Sequence, residues 1–198
     1  PFLRMEHEDN PFLGLRGIRL SLAHKDKFKT QLRAIPRAAT SGNIKIMFPM
    51  ISSAEEFAEA VSLMDECRSE LAAEGTEYGM DLDTGIMIET PAAVFIADEL
   101  ASKADFFCIG TNDLAQYVMA ADRGNTAVAA LCDTGQAAVR NAIRATIEAA
   151  HRHDIPAGMC GAMASDPEEC QSLKQWGLDY FSVVPPVLDL IREKLATS

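Results

Sequence analysis

The chain has no long hydrophobic run and little positive charge. None of its apolar stretches approaches the ~20 residues that a membrane-spanning helix requires, and the opening segment PFLRMEHEDN has no signal-peptide pattern. Its 18 lysines and arginines face 29 aspartates and glutamates, which gives a formal net charge of −11. Such an acidic chain argues against nucleic acid and against anionic membranes as partners. An anionic ligand would depend on a few local cations, so individual arginines become informative.

Cysteine is also scarce, and its spacing argues against two kinds of site. The chain has 5 cysteines, an odd number, with no Cys-x-x-Cys pair and few histidines near them. Neither a disulfide framework nor a zinc site is indicated, and a reducing, cytoplasmic compartment fits this pattern best. The chain begins without methionine, so we expect a fragment of a longer protein.

Short apolar runs alternate along the chain with stretches of helical periodicity, which predicts strands and helices in alternation. The predicted strands cover residues 44–48, 85–88, 106–109, 157–160 and 180–184. The predicted helices cover residues 11–36, 53–74, 92–101, 137–153, 167–176 and 187–195.

The predicted strands are apolar without strict alternation, which is typical of strands buried on both faces of a parallel sheet. Two α/β architectures satisfy this pattern: an open doubly wound sheet, and part of a (β/α)8 TIM barrel. A complete barrel has eight strands and about 250 residues. If the fold is a barrel, the single domain 1–198 is incomplete, with about five of the eight strands present and roughly the first three missing upstream.

The stretch DFFCIGTNDLAQY, residues 105–117, places polar groups directly after an apolar run. Functional groups gather at the carboxyl ends of parallel strands in both architectures, so Asn112 and Asp113 can face the same pocket as Glu89, which follows the preceding strand. Two carboxylates are enough for Mg²⁺ when waters and substrate oxygens complete the octahedron. Each carboxylate alone is better explained by the start of the helix that follows it, but the pair on neighbouring strands favours a metal site.

Arg16, Arg123 and Cys160 are the further candidates. An arginine fork binds phosphate or carboxylate through two parallel hydrogen bonds. On spacing alone, Arg123 is better explained as a surface contact in a turn, and Arg16 as part of a solvated helical face. Cys160 ends a predicted strand, where a thiol that is protonated at neutral pH can act as proton donor or nucleophile. We interpret the remaining cysteines as small buried apolar residues: Cys67, Cys108, Cys132 and Cys170.

Six segments follow one another along the chain in a recognisable order. They are NPFLGLRGIR (10–19), KIMFPM (45–50), IMIETPAA (86–93), FFCIGTNDLAQY (106–117), DRGN (122–125) and GMCG (158–161). Together they resemble the phosphoenolpyruvate-binding barrel of the enzyme I family of the bacterial sugar phosphotransferase system. Pyruvate, phosphate dikinases and phosphoenolpyruvate synthases share the barrel chemistry, but FLGLRGIR and GTNDLAQY are closer to enzyme I.

The resemblance implies a (β/α)8 barrel of the phosphoenolpyruvate-utilising type that binds phosphoenolpyruvate and Mg²⁺. It implies Glu89 and Asp113 as the metal ligands. It implies Cys160 as the acid that protonates the enolate carbon left after phosphoryl loss, which releases pyruvate. The implied substrate-binding residues are Arg16, Asn112, Asp113 and Arg123.

The resemblance also implies partners outside this chain. In the family the phosphoryl group passes to a histidine on a separate domain, then to a small phosphocarrier protein and eventually to sugar. Family members dimerise through this barrel, so we expect a homodimer. The sequence contains no Gly-rich Ser-His motif, and we therefore expect the phosphohistidine domain to be absent and the chain alone to be inactive.

Three segments depart from the family pattern. Ala162 stands where the family usually has an acidic residue, which would weaken the orientation of Cys160 or its proton supply. Residues 133–136 lack the usual proline, and the last strand lacks the Ser-rich form. Two alternatives stay open: a barrel fragment of a dikinase or synthase, and a catalytically dead binding or dimerisation module.

Overall fold

The structure is a computed structural model that describes residues 7–196. Its strands are β1 (Ile46–Phe48), β2 (Thr84–Ile88), β3 (Phe106–Gly110), β4 (Ala157–Cys160) and β5 (Tyr180–Phe181). Its α-helices are α1 (Ile18–Ala23), α2 (Lys25–Ala38), α3 (Ala54–Ala73), α4 (Pro91–Phe95), α5 (Ala97–Ala101), α6 (Thr111–Val118), α7 (Ala137–Arg152), α8 (Cys170–Gln175) and α9 (Leu188–Ala196). Within this range no helix combines the length and the apolar character needed to cross a membrane.

Each strand pairs in parallel with its successor, which gives a single sheet of order β1-β2-β3-β4-β5. A doubly wound open sheet reverses its strand order at a switch point, whereas a (β/α)8 barrel winds continuously in one direction. The observed order therefore confirms the barrel winding and rejects the doubly wound alternative. In the part of the chain that is described, the sheet has five strands, with β1 and β5 at its two edges.

The helix-facing side of the sheet carries the hydrophobic core. Phe48, Phe107 and Met159, from three of the strands, are almost completely buried there. Phe28 of α2 and Phe57 of α3 pack edge-on against Phe48, with ring centroids 6.3 and 5.9 Å away. This packing fixes the helices against the sheet and so sets the positions of the strand ends.

The opposite side of the sheet borders a hollow, which corresponds to the interior of a barrel. Met47, Cys108 and Tyr180 are among its lining residues. Successive residues of a strand point to opposite faces, so Cys108 faces the hollow although its neighbours Phe107 and Ile109 lie in the core.

The helices overlap the predicted ranges except α6, which lies outside them, and two of the predicted helices are divided. As predicted, α3 begins after Ser53, whose hydroxyl accepts the Glu56 N–H while the Glu56 carboxylate accepts the Ser53 N–H. The prediction of a single helix over 11–36 is wrong. A 3-10 turn comes first, and the helical conformation is interrupted at Gly17, where φ is +56°. The segment 92–101 is likewise divided, between α4 and α5.

Candidate active site

Glu89 follows β2 directly and is almost completely buried, with 4% of its surface exposed. Its Oε1 accepts a 2.8 Å hydrogen bond from the N–H of Met50, which follows β1. The N-cap of α4 is Thr90, whose hydroxyl accepts the Ala93 N–H at 3.1 Å. Glu89 therefore does not cap α4. Its carboxyl group remains available to the pocket at the strand ends.

The charge state of Glu89 is governed by its burial. Loss of solvation raises the pKa of Glu89 from 4.5 to about 7. The Met50 N–H opposes this rise, the negative charge of Asp113 adds to it, and Arg16 and Arg123 lower it. The two carboxyl groups are thus close enough to influence each other electrostatically, as the sequence predicts for neighbouring strand ends.

Asp113 lies in the first turn of α6 and holds both candidate arginines. Its Oδ2 lies 3.4 Å from Arg16 and its Oδ1 lies 3.4 Å from Arg123. Both guanidinium groups also stand over the ring of Phe12, at 5.5 and 5.9 Å from its centroid. The interpretation of Arg16 as part of a solvated helical face is wrong, since Arg16 lies in the loop before Gly17, ahead of α1. Arg123 lies in an exposed turn, as predicted, and its guanidinium reaches the same carboxylate as Arg16.

Tyr117 and Gln116 hold the arginines in place from the next turn of α6. The hydroxyl of Tyr117 accepts a 3.0 Å hydrogen bond from Arg16 Nη1 and itself donates to the carbonyl of Phe12. The side-chain carbonyl of Gln116 accepts the N–H of Arg123 at 3.0 Å. Sequence reasoning overlooked both residues, although helical spacing places them one turn after Asp113.

Gly110, the last residue of β3, lies between Glu89, which follows β2, and Cys160, which ends β4. A methyl group at Gly110 would lie 2.9 Å from Glu89 Oε2, so the small residue admits the carboxylate. Gly110 is also the register partner of Cys160 across the β3–β4 ladder. Glu89 and Cys160 therefore approach the same point on the rim of the sheet.

Asn112 and Thr111 join the start of α6 to the end of β4. The Thr111 hydroxyl donates to the carbonyl of Cys160 at 3.1 Å, and Asn112 Oδ1 accepts the Ala162 N–H at 3.2 Å. Gly161, between those two positions, has φ +94°, a region that side-chain-bearing residues rarely adopt. The loop after β4 is thereby fixed against α6.

Cys160 is half-buried at the end of β4, on the strand next to the one that carries Cys108. The neighbouring thiol of Cys108 lowers the pKa of Cys160, and burial opposes that change. The neighbouring thiol of Cys160, together with burial, raises the pKa of Cys108 far above its ordinary value. Cys108 is buried, as predicted, and it lies on the hollow-facing side of β3 next to this site.

The residues present fit a divalent cation, although they do not form a closed metal cage. Across residues 7–196, histidine, cysteine, aspartate and glutamate side chains form no group of three or more that could hold a metal ion. Mg²⁺ commonly takes only one or two carboxylates and completes its shell with waters and substrate oxygens. Glu89 and Asp113 match that requirement, and a cation beside Glu89 would offset the cost of burying its charge.

Comparison with known proteins assigns the whole chain to one sequence family. Residues 1–198 match the family model described as PEP-utilising enzyme, PEP-binding domain. The chain is 48% identical over 183 residues to the phosphoenolpyruvate-protein phosphotransferase of Geobacillus stearothermophilus, a match over 92% of this chain and 32% of that protein. The corresponding protein of Haloferax volcanii is 46% identical over 200 residues, covering 99% of this chain and 35% of its own length. The chain thus spans about a third of the length of these relatives.

Solved structures with the same fold are more distant in sequence. A citrate lyase from Burkholderia xenovorans superposes with a TM-score of 0.66 at 18% identity, over 86% of this chain and 54% of that one. A HpcH/HpaI aldolase/citrate lyase family protein from Burkholderia cenocepacia superposes with a TM-score of 0.57 at 14% identity, over 83% of this chain and 68% of that one. At this level of identity the likeness concerns the fold alone.

Proposed function

Because the chain belongs to the PEP-utilising enzymes, as their PEP-binding domain, we propose that it binds phosphoenolpyruvate together with Mg²⁺ at the rim formed by β2, β3 and β4. The observation that carries this proposal is the convergence of Glu89 and Asp113 beside two arginines. A small, multiply charged anion needs a cluster of this kind in an otherwise acidic protein.

In this proposal the substrate is held by the cations that now surround Asp113. Arg16 and Arg123 release part of their contact with that carboxylate and bind the phosphate and carboxylate oxygens of the ligand through their forks. Asn112, fixed by its bond to the loop after β4, contributes a side-chain N–H donor. The stacking of both guanidinium groups on Phe12 restricts their movement and reduces the entropy lost on binding.

Glu89 and Asp113 would hold the metal ion, and Cys160 would supply a proton. When bound, Mg²⁺ neutralises charge that shifts between the phosphoryl group and the enolate oxygen. Cys160 donates its proton to the enolate carbon, and pyruvate leaves. Ala162 contributes its main-chain N–H to Asn112, so the site uses the backbone at the position where an acidic side chain was expected.

The relatives named phosphoenolpyruvate-protein phosphotransferase support a proposal for the activity of the whole protein. We propose that the phosphoryl group passes from this domain to a histidine on a separate domain, then to a small phosphocarrier protein, for sugar uptake in the cytoplasm. We also propose that the whole protein acts as a homodimer. The identity of 45 to 48% to relatives with this one name favours that activity over a dikinase, a synthase or an inactive module.

Calorimetric titration of the full-length protein with phosphoenolpyruvate, with Mg²⁺ and with a chelator, tests the proposal. We expect binding that needs Mg²⁺ in the wild type and is lost in Glu89→Gln. Glu99→Gln is the matched control, because Glu99 is an exposed carboxylate of α5 paired with Lys103, away from the rim. Binding that is indifferent to Mg²⁺, or equal losses in both variants, would refute the proposed site.

A further inference from the structure

The loop before α1, residues 10–16, carries two groups of the proposed site but is poorly buried. It presents the ring of Phe12 and the guanidinium group of Arg16. None of the residues of its 3-10 turn, Pro11–Leu13, is buried, and Leu13 is 66% exposed. Burial of apolar side chains therefore contributes little to holding this loop, and its position depends on hydrogen bonds.

Side chains from two helices bind three successive carbonyl groups of the loop. Tyr117 of α6 donates to the carbonyl of Phe12. Arg19 of α1 donates through Nη1 to the carbonyl of Leu13 at 3.1 Å and to that of Gly14 at 3.4 Å. A helical side chain leans toward the N-terminal end of its helix, which directs Arg19 back over the loop that precedes α1.

Arg19 links the exposed loop to a fixed point of the fold. Among residues 7–196 it forms no ion pair, so its charge strengthens the two bonds to main-chain carbonyls. The helix from which it extends is anchored at Ile18, which is fully buried and whose N–H donates to the carbonyl of Pro49 at 3.2 Å. Pro49 directly follows β1, so the link runs from the loop to the end of a strand.

We propose that Arg19 is a positioning residue for anion binding, because its bonds to the Leu13 and Gly14 carbonyls fix the loop that presents Phe12 and Arg16. This inference rests on the proposed binding of phosphoenolpyruvate by Arg16 and Arg123, and Arg19 acts through the loop without touching the ligand. A fixed loop keeps the Phe12 ring beside both guanidinium groups, so less order has to be created when the anion binds.

Hydrogen exchange of the full-length protein without ligand tests the contact. The N–H groups of Gly14, Leu15 and Arg16 are hydrogen-bonded to the loop or to the residues before it, so the peptide that contains them reports how firmly the loop is held. We expect Arg19→Ala to raise the exchange rate of these amides by about tenfold, because two carbonyl bonds are lost. Arg19→Lys keeps a charged donor and should restore most of the protection.

Phosphoenolpyruvate binding and turnover test the role. In the presence of Mg²⁺ we expect Arg19→Ala to raise the Kd and the KM by about five- to tenfold with little change in kcat, and Arg19→Lys to recover most of the loss. Arg68→Ala is the control. Arg68 also donates to a main-chain carbonyl, that of Met80 at 3.4 Å, but Met80 precedes β2 and lies at the opposite end of that strand from Glu89. Thermal unfolding of each variant identifies any effect that comes from loss of folded protein.

The outcomes separate this inference from the proposed function. An unchanged exchange rate in Arg19→Ala would overturn the role of Arg19 in fixing the loop. Faster exchange with unchanged affinity for phosphoenolpyruvate would overturn its role in anion binding. Weaker binding without faster exchange would mean that Arg19 acts on the anion by its charge, which also contradicts a positioning role. A wild type that binds no phosphoenolpyruvate would overturn the proposed function itself, whatever the exchange of the loop.

Discussion

At the scale of single residues, the site depends on a carboxyl group that is unfavourable to bury. Among residues 7–196, Glu89 has one main-chain donor and no paired arginine of its own, and its pKa rises to about 7. A carboxyl group whose folded pKa lies above its unfolded value binds more protons in the folded state, so stability falls as the pH rises from 4.5 through about 7. Without metal, Glu89 therefore costs stability at neutral and alkaline pH.

Glu89→Gln should stabilise the metal-free protein above neutral pH. A rise from 4.5 to about 7 corresponds to about 3 kcal/mol at most, and the glutamine carbonyl can still accept the Met50 N–H. We expect the melting temperature of the variant to exceed that of the wild type at about pH 8, and the difference to disappear below about pH 4, where Glu89 is protonated in both states. Differential scanning calorimetry with a chelator measures this, and a variant that is less stable at both pH values would contradict the account.

Cys160→Ala should separate binding from turnover. Removal of the acid should reduce pyruvate release by about 100-fold or more, because general acid catalysis commonly contributes that much. Phosphoenolpyruvate binding should change little, since the arginines and carboxylates remain. Coupled pyruvate assays and calorimetry provide the two readouts, and normal turnover in the variant would exclude the acid role.

The sequence predicts part of this residue-scale arrangement. Glu89 and Asp113 are identifiable because each follows an apolar strand, and parallel strands end on one edge. The position of Cys108 relative to Cys160 is not predictable, because it depends on the register between β3 and β4, which the sequence of either strand leaves open. The apolar neighbours of Cys108 predict its burial, which is confirmed, but they do not predict which face of the sheet it lies on.

At the scale of elements, the site is held by the junction between α6 and the loop after β4. Strand positions are predictable here because each apolar run stops at a polar residue, at glycine or at proline. The break at Gly17 is not predictable from periodicity, since apolar residues continue at helical spacing across it. Gly17 has φ +56°, and a methyl group there would lie 2.7 Å from the Met50 side chain, so this position requires glycine. Pro36 does not end α2, which continues to Ala38.

Gly161→Ala should disturb this junction. The residue has φ +94°, and the added methyl group would lie 2.5 Å from the Thr111 hydroxyl oxygen and 3.2 Å from Asn112 Oδ1. We expect a loss of about 1–3 kcal/mol in the free energy of unfolding, together with weaker phosphoenolpyruvate binding. Gly42→Ala is the control, because Gly42 has extended backbone with nothing within 4 Å of the new methyl group. Denaturant titration of both variants measures the difference, and equal stabilities would exclude strain at Gly161.

At the scale of the whole molecule, the barrel winding seen in residues 7–196 runs through five strands and leaves two sheet edges. The outer strands are short, 3 residues in β1 and 2 in β5, whereas β3 is paired on both sides and wholly buried. The unpaired backbone amides of an edge strand exchange their hydrogens readily with solvent, and they can pair with a strand of another chain. The chain by itself should therefore be marginally stable and prone to associate.

Hydrogen exchange of this chain alone, compared with the full-length protein, tests the view of the fold. We expect amides of β1 and β5 to exchange much faster in the isolated chain, and amides of β3 to be protected in both. Size-exclusion chromatography at several concentrations measures whether the isolated chain associates, as its unpaired edges predict. Equal protection of β1 and β5 in the two proteins would mean that these edges are already covered within the isolated chain.

The central claim is that Glu89 and Asp113 bind one divalent cation, and Mn²⁺ binding followed by electron paramagnetic resonance tests it most directly. In the full-length protein, we expect Glu89→Gln and Asp113→Asn each to weaken Mn²⁺ binding by about tenfold or more. The double variant should lose less than the product of the two single losses, because both side chains act on the same ion. Unchanged affinity in Glu89→Gln, or strictly multiplicative losses, would contradict a shared cation.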